Sequence, residues 1–153
     1  MTGVITARLA ELGIKLPEPP KPVASYVGFV KHDGLVFVSG QLPFVDGKLS
    51  ATGLLGRDVS IEVAEKAAGI CAVNILAQVH KACEGDLERI IRCVRLGGFV
   101  ASVPDFFDHP KVVNGASDLM GEILSRGVAC AAVGVASLPM NACVEVEAVF
   151  AVH

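Results

Sequence analysis

The chain has 153 residues and a formal net charge of −3, with 52% hydrophobic and 19% charged residues. That length suits one domain with its own core. The acidity, with Lys and Arg scattered singly, argues against a nucleic-acid surface, and no apolar run is long and charge-free enough to span a bilayer.

In chain order, Ile5, Leu9 and Leu12 recur at helical spacing and predict a short helix over residues 3–14, stopped by Gly13. LPEPPKP follows, and its four prolines forbid regular structure, so it is expected to lie extended on the surface. Residues 1–22 thus read as an N-terminal extension and Pro-rich linker, and 23–153 as the main domain. Tyr26 to Val30 and Leu35 to Ser39 read as two strands joined by a turn at Asp33-Gly34, with Gly40 and Pro43 closing the second. VDGK is a second turn, before a short segment near Leu49. From Ser60 to about Lys81 an alanine-rich apolar stripe predicts a helix able to lie close on a sheet, capped by Asp58 or Ser60. A strand is predicted over 90–101, with Gly97-Gly98 marking a bulge or a close backbone approach. A helix over 112–124 and two terminal strands complete the chain. The expected fold is α+β, one mixed sheet with two helices on one face.

The last strand carries Val144, Val146, Ala148 and Phe150 on one face and Cys143, Glu145, Glu147, Val149 and Ala151 on the other. Both rows are largely apolar, so the strand needs cover on both sides, and other subunits related by cyclic symmetry are the simplest cover. A carboxylate on such a strand costs several kcal/mol unless it is paired or hydrogen-bonded. Glu145 and Glu147 are therefore either pocket groups that hold water and move a proton, or partners of a Lys or Arg across a subunit boundary.

Other candidates are weaker. Ser39-Gly40-Gln41 sits at a strand end, where sites gather, and reads equally as a simple turn. Asn114-Gly115 reads as a capping turn. Cys130 is either a nucleophile, with no histidine near in sequence to activate it, or an inert thiol. Five cysteines without a CxxC pair predict reduced thiols, no bound metal and a cytoplasmic protein, there being no signal-peptide core.

Several stretches taken together resemble the RidA/YjgF family, the reactive-intermediate imine deaminases also labelled endoribonuclease L-PSP. They are YVGFVKHDGLVFVSGQLPF, VNILAQVHKACEGDL, RLGGFVASVPDF, VVNGASDLM and AAVGVASLPMNACVEVEAVFAV, in family order over residues 23–152. The resemblance implies a chorismate-mutase-like fold and a homotrimer with a central barrel-like core. It also implies small-molecule clefts between subunits and hydrolysis of enamines or imines without a cofactor. Carried over by position, Glu145 matches the water-orienting glutamate, Tyr26 the aromatic lining, and Ser39 and Gly40 the strand-end segment. Asn114 matches the polar residue before the second helix, and Glu147 a more structural glutamate. Where the family pattern reads ARSAVGVAxLP, this chain reads ACAAVGVASLP, so Cys130 replaces the arginine that holds the substrate carboxylate. A thiol makes no bidentate ion pair. Two functions stay open on this reading, an imine or enamine deaminase and a non-catalytic trimer binding a small metabolite. Arg126 is the nearest cation in sequence for the missing role. The ribonuclease label is weak, for want of a basic stripe or a histidine pair.

Overall fold

The computed structural model describes residues 3–153. Helix α1 (Val4–Glu11) leads into the proline segment, then strands β1 (Phe29–His32), β2 (Leu35–Gln41), β3 (Phe44–Val45) and β4 (Lys48–Leu49). Helix α2 (Ile61–Ala82), strand β5 (Ile90–Ala101), helix α3 (His109–Leu124) and strands β6 (Ala129–Val135) and β7 (Val144–Val152) follow. Five strands form one sheet in the order β1-β2-β7-β5-β6, antiparallel except for the β5–β6 pair, and β3–β4 is a separate hairpin. The family's chorismate-mutase-like α+β arrangement is thus present.

The chain's own chemistry places these elements. Asp33 and Gly34 both take positive φ, 49° and 75°, as a two-residue hairpin turn requires, and Asp46-Gly47 repeats the device at 51° and 80°. Of the two possible caps for α2, Ser60 acts: its Oγ accepts from Val63 N at 3.2 Å, while Asp58 instead accepts from Leu54 N at 2.9 Å. The core lies between α2, α3 and one sheet face. Along β7 the residues Val144, Val146, Ala148, Phe150 and Val152 are buried while those between them are half-buried. The opposite sheet face is open in the single chain and exposes Val30, Phe37 and Val133. Among the described residues no helix is long and apolar enough to cross a membrane.

Three boundaries differ from the sequence expectation. The first strand begins at Phe29, not Tyr26, because Val27 and Gly28 are held by bonds from Ser39 rather than by a ladder. Helix α3 starts at His109, three residues earlier than expected, since Pro110 is tolerated in a first turn whose N–H groups need no helical partner. Asn114-Gly115 is therefore inside a helix and caps nothing. Cys143 precedes β7 and joins the core, rather than lining the glutamate face as strict alternation required. The Gly97-Gly98 pair marks close approach, not a bulge; the irregularities of β5 fall earlier, between Ile90 and Arg92 and between Cys93 and Arg95. A Cβ on Gly98 would meet Val113 of α3, and one on Gly97 would meet the Glu147 side chain. The extension belongs to the same core, to which Ile5 and Leu9 contribute, and Glu88 accepts from Ile5 N and Thr6 N at 3.0 Å each.

A Cβ on Gly115 would overlap the backbone carbonyl of Glu65, so the α2–α3 crossing depends on that glycine. In an exposed helix Gly→Ala stabilises by roughly 0.5–1 kcal/mol, but overpacking against rigid backbone costs about 1–3 kcal/mol. Overpacking wins here: Gly115→Ala should lower the melting temperature by several degrees in scanning calorimetry, and an unchanged or raised value would refute the close crossing.

Candidate functional site

The site begins with an irregularity in β2. Val38 faces Ala148 and Gln41 faces Val146, so three steps on β2 match two on β7, and Ser39 and Gly40 drop out of register. Such a bulge re-aims side chains. Ser39 N donates to Gly28 O at 2.9 Å and Ser39 Oγ donates to Val27 O at 2.6 Å, which draws the segment bearing Tyr26 against the bulge. Buried Gln41 donates from Nε2 to Ser39 O at 3.0 Å. A Cβ on Gly40 would overlap the Glu145 carboxylate, so the absence of a side chain there leaves the space into which Glu145 projects from β7.

Tyr26, Ser39, Gly40 and Glu145 line one cleft, with Pro20, Lys21, Pro22, Val23, Phe44 and Pro139 among its other walls. Within one chain it encloses about 20 Å³, enough for a single water. Proline residues of the expected surface linker thus form a wall, a role the sequence reading missed. Their composition signals an extended segment but not where it lies. Its position is set by buried Gln78, whose Nε2 donates to Pro20 O at 3.0 Å, under Gly28, where a Cβ would strike the Gln78 amide.

The two glutamates of β7 have different surroundings. Glu147 meets Arg95 Nη1 of neighbouring β5 at 3.3 Å, within the same chain. Glu145 makes no ion pair among the described residues. Burial, and secondarily the negative charge of Glu147, push its carboxyl above the usual range. A shift in that direction makes the carboxylate a stronger proton acceptor than an ordinary surface glutamate.

Asn114 and Cys130 do not join this cleft in one chain. Asn114 is exposed on α3, which covers the other sheet face. Cys130 stands on the edge strand β6, with β5 between it and β7, in the parity of Ala132, which packs on the core. Its thiol is pushed up by desolvation against the pull of Arg95, so the unreactive protonated form dominates. All five cysteines are free. Four are buried, and burial lifts Cys93 to about 12 and Cys143 to about 11. Among the described residues no three His, Cys, Asp or Glu gather as a metal site.

The raised carboxyl of Glu145 has a stability consequence. With its folded pKa above the unfolded value, ionisation burdens the folded state: the penalty is absent in acid, sets in as pH rises past the unfolded value, and is complete above the folded one. Glu145→Gln should therefore be more heat-stable than the natural protein at neutral pH and equal to it in acid. Equal melting temperatures at both pH values would show that Glu145 carries no such penalty.

A family model described as "YjgF/chorismate_mutase-like, putative endoribonuclease" matches residues 6–150. Protein TCP17 of Trypanosoma cruzi is 43% identical over 151 residues, covering 96% of this chain and 93% of its own. The crystal structure of Atu1372 from Agrobacterium tumefaciens, a protein of unknown function, is 51% identical with a TM-score of 0.91, covering 98% of this chain and 93% of that one. A "putative endoribonuclease" from Shewanella oneidensis is 29% identical with a TM-score of 0.93, covering 98% and 100%. The bulge at SGQ, the glutamate of the VEVEA strand and the match along nearly the whole chain agree: this protein belongs to the YjgF/RidA family.

Proposed function

We propose that the protein hydrolyses small enamines and imines to a carbonyl product and ammonia, with Glu145 as the proton-transfer group. One observation carries the reading: an unpaired, half-buried carboxyl with a raised pKa lines a cavity sized for one water. Glu145 takes a proton from that water as its oxygen bonds to the carbon of the N-protonated imine, whose C=N electron pair moves to nitrogen, giving a carbinolamine. The protonated carboxyl then returns the proton to nitrogen, the C–N bond breaks and ammonia leaves, while the hydroxyl gives its proton to the Glu145 carboxylate and becomes the carbonyl. An enamine enters the same route after protonation at carbon. Ser39 and Gly40 shape the cavity and Tyr26 walls it.

A one-water cavity holds the nucleophile but not the substrate, so further walls are required. We take them to come from neighbouring copies in a homotrimer, closing over the open sheet face where Val30, Phe37 and Val133 are exposed. Cys130 and Asn114 then enter the site from a neighbouring copy. The free cysteines are consistent with a cytoplasmic location. A second reading, a trimer that binds a small metabolite without turning it over, is favoured by Cys130 standing where the family frame has arginine.

Glu145→Gln should reduce the hydrolysis of imines generated in situ by about 10²-fold or more, the usual worth of a positioned acid–base group. Ammonia release from trimeric protein is the measurement. A natural protein inactive on every imine tried, or a fully active Gln variant, would refute the hydrolase reading. Light scattering on a sizing column should give three times the 15.9 kDa chain mass. A monomer would remove the shared clefts.

A further inference from the structure

With cysteine in the arginine position, a carboxylate-bearing ligand needs a cation from elsewhere. Three have been brought near the question by the fold. Arg126 is exposed on the turn between α3 and β6 and lines no part of the Glu145 cleft. Arg95 is already engaged by Glu147 at 3.3 Å. Lys21 lines the cleft itself, together with Tyr26, Ser39, Gly40 and Glu145, and among the described residues it pairs with no carboxylate. It is the one cationic side chain in that wall.

Its backbone is unusually well fixed for an extended segment. Pro20 before it and Pro22 after it restrict the dihedrals on both sides, and a residue preceding proline is confined to extended conformations. The carbonyl of Pro20 is tied to α2 through Gln78 Nε2 at 3.0 Å, and a few residues on, Ser39 ties down Val27 and Gly28. Lys21 is exposed and lines both this cleft and a neighbouring cavity that Glu18 and Asp46 also line, so a long flexible cation on a stiff, doubly anchored base has the Glu145 cleft within its reach. Compared with an arginine fork, an ammonium gives a point charge without bidentate geometry. It therefore suits small carboxylates of varied shape.

We propose that Lys21 is the anion anchor of this site, a specificity residue by which the cleft distinguishes carboxylate-bearing ligands from neutral ones although β6 carries Cys130. The inference rests on the proposed function for the identity of the site, and it is tested by binding as well as turnover. The probes are 2-oxobutanoate, a product-type keto acid, and butanone, its neutral counterpart, each titrated by NMR into the full chain. Lys21→Ala should weaken 2-oxobutanoate about tenfold, some 1.4 kcal/mol, and leave butanone unchanged, while Lys21→Arg keeps most of the affinity. Because the anchor is partly exposed, added salt should weaken 2-oxobutanoate binding in the natural protein and much less in Lys21→Ala. In turnover, Lys21→Ala should raise KM for imines made from amino acids with little change in kcat, and spare imines of amines.

Equal affinity of natural protein and Lys21→Ala for 2-oxobutanoate, equal loss of both probes, or no binding of the keto acid at all would overturn the proposal. A Lys21-dependent keto-acid site in a protein that hydrolyses no imine would sink the deaminase reading and leave the anchor standing. Brisk imine hydrolysis with no dependence on Lys21 would do the reverse.

Discussion

The structure hangs on the alternation of a single strand. Strand β7 lies between β2 and β5, and its inward row of Val144, Val146, Ala148, Phe150 and Val152 is 0–4% exposed beneath the helices. Period-two geometry then forces the intervening residues to the far side. A one-residue slip would bring the glutamates into the core, where an unpaired carboxylate costs several kcal/mol, so the register is fixed strongly. The same constraint gives the far face its chemistry. Glu145 and Glu147 point there because the core excludes them, and the neighbouring strands decide their fates. Arg95 of β5 is set to meet Glu147, whereas beside Glu145 the β2 ladder breaks at Ser39 and Gly40 and makes room instead of a partner.

That division leaves one carboxylate of the pair committed to an ion pair and the other unpaired at a cleft. A surface-accessible Arg–Glu pair contributes little stability, about 0–1 kcal/mol, but it commits the Glu147 charge to a fixed place. A fixed negative charge two residues along the same face then raises the energy of ionised Glu145, adding to the larger effect of burial. Gly40 is the steric half of the arrangement and Ser39 the tether that keeps Tyr26 beside it. Each of these residues acts through the bulge, so the site is a property of the β2–β7 pairing as much as of any one side chain.

Much of the fold was legible because it follows from local patterns. The strand over 90–101 and the alanine-rich helix from Ser60 were readable from periodicity, and the turns at Asp33-Gly34 and Asp46-Gly47 from their need for positive φ. The start of α3 was not, since Pro110 reads as a breaker unless it is known to fall in a first turn. The shared face of Glu145 and Glu147 was visible in the sequence. That, among the described residues, only Glu147 of the two finds a cation was not, because Arg95 reaches it across strands. Family resemblance pointed to Tyr26, Ser39 and Gly40, which the fold does gather around Glu145. The wall made by Pro20 and Lys21 escaped, because a proline run states its own stiffness and says nothing of the distant Gln78 that fixes its path.

The exchange of arginine for Cys130 can be judged by what the thiol is and where it stands. Its pKa is raised by desolvation despite the pull of Arg95, so near neutrality it supplies neither a thiolate nucleophile nor a charge for a carboxylate. On the edge strand β6 the thiol is exposed, so a cysteine where the family pattern has arginine leaves no buried orphan. On the proposed function the difference bears on ligand charge rather than on folding. The Glu145 cleft is built on β2 and β7, and within one chain β5 separates it from β6. On the proposed function the carboxyl that handles water and the cation that holds the ligand are therefore separable parts, and the proline-braced segment against α2 is the part of this chain that puts Lys21 in the wall of that cleft.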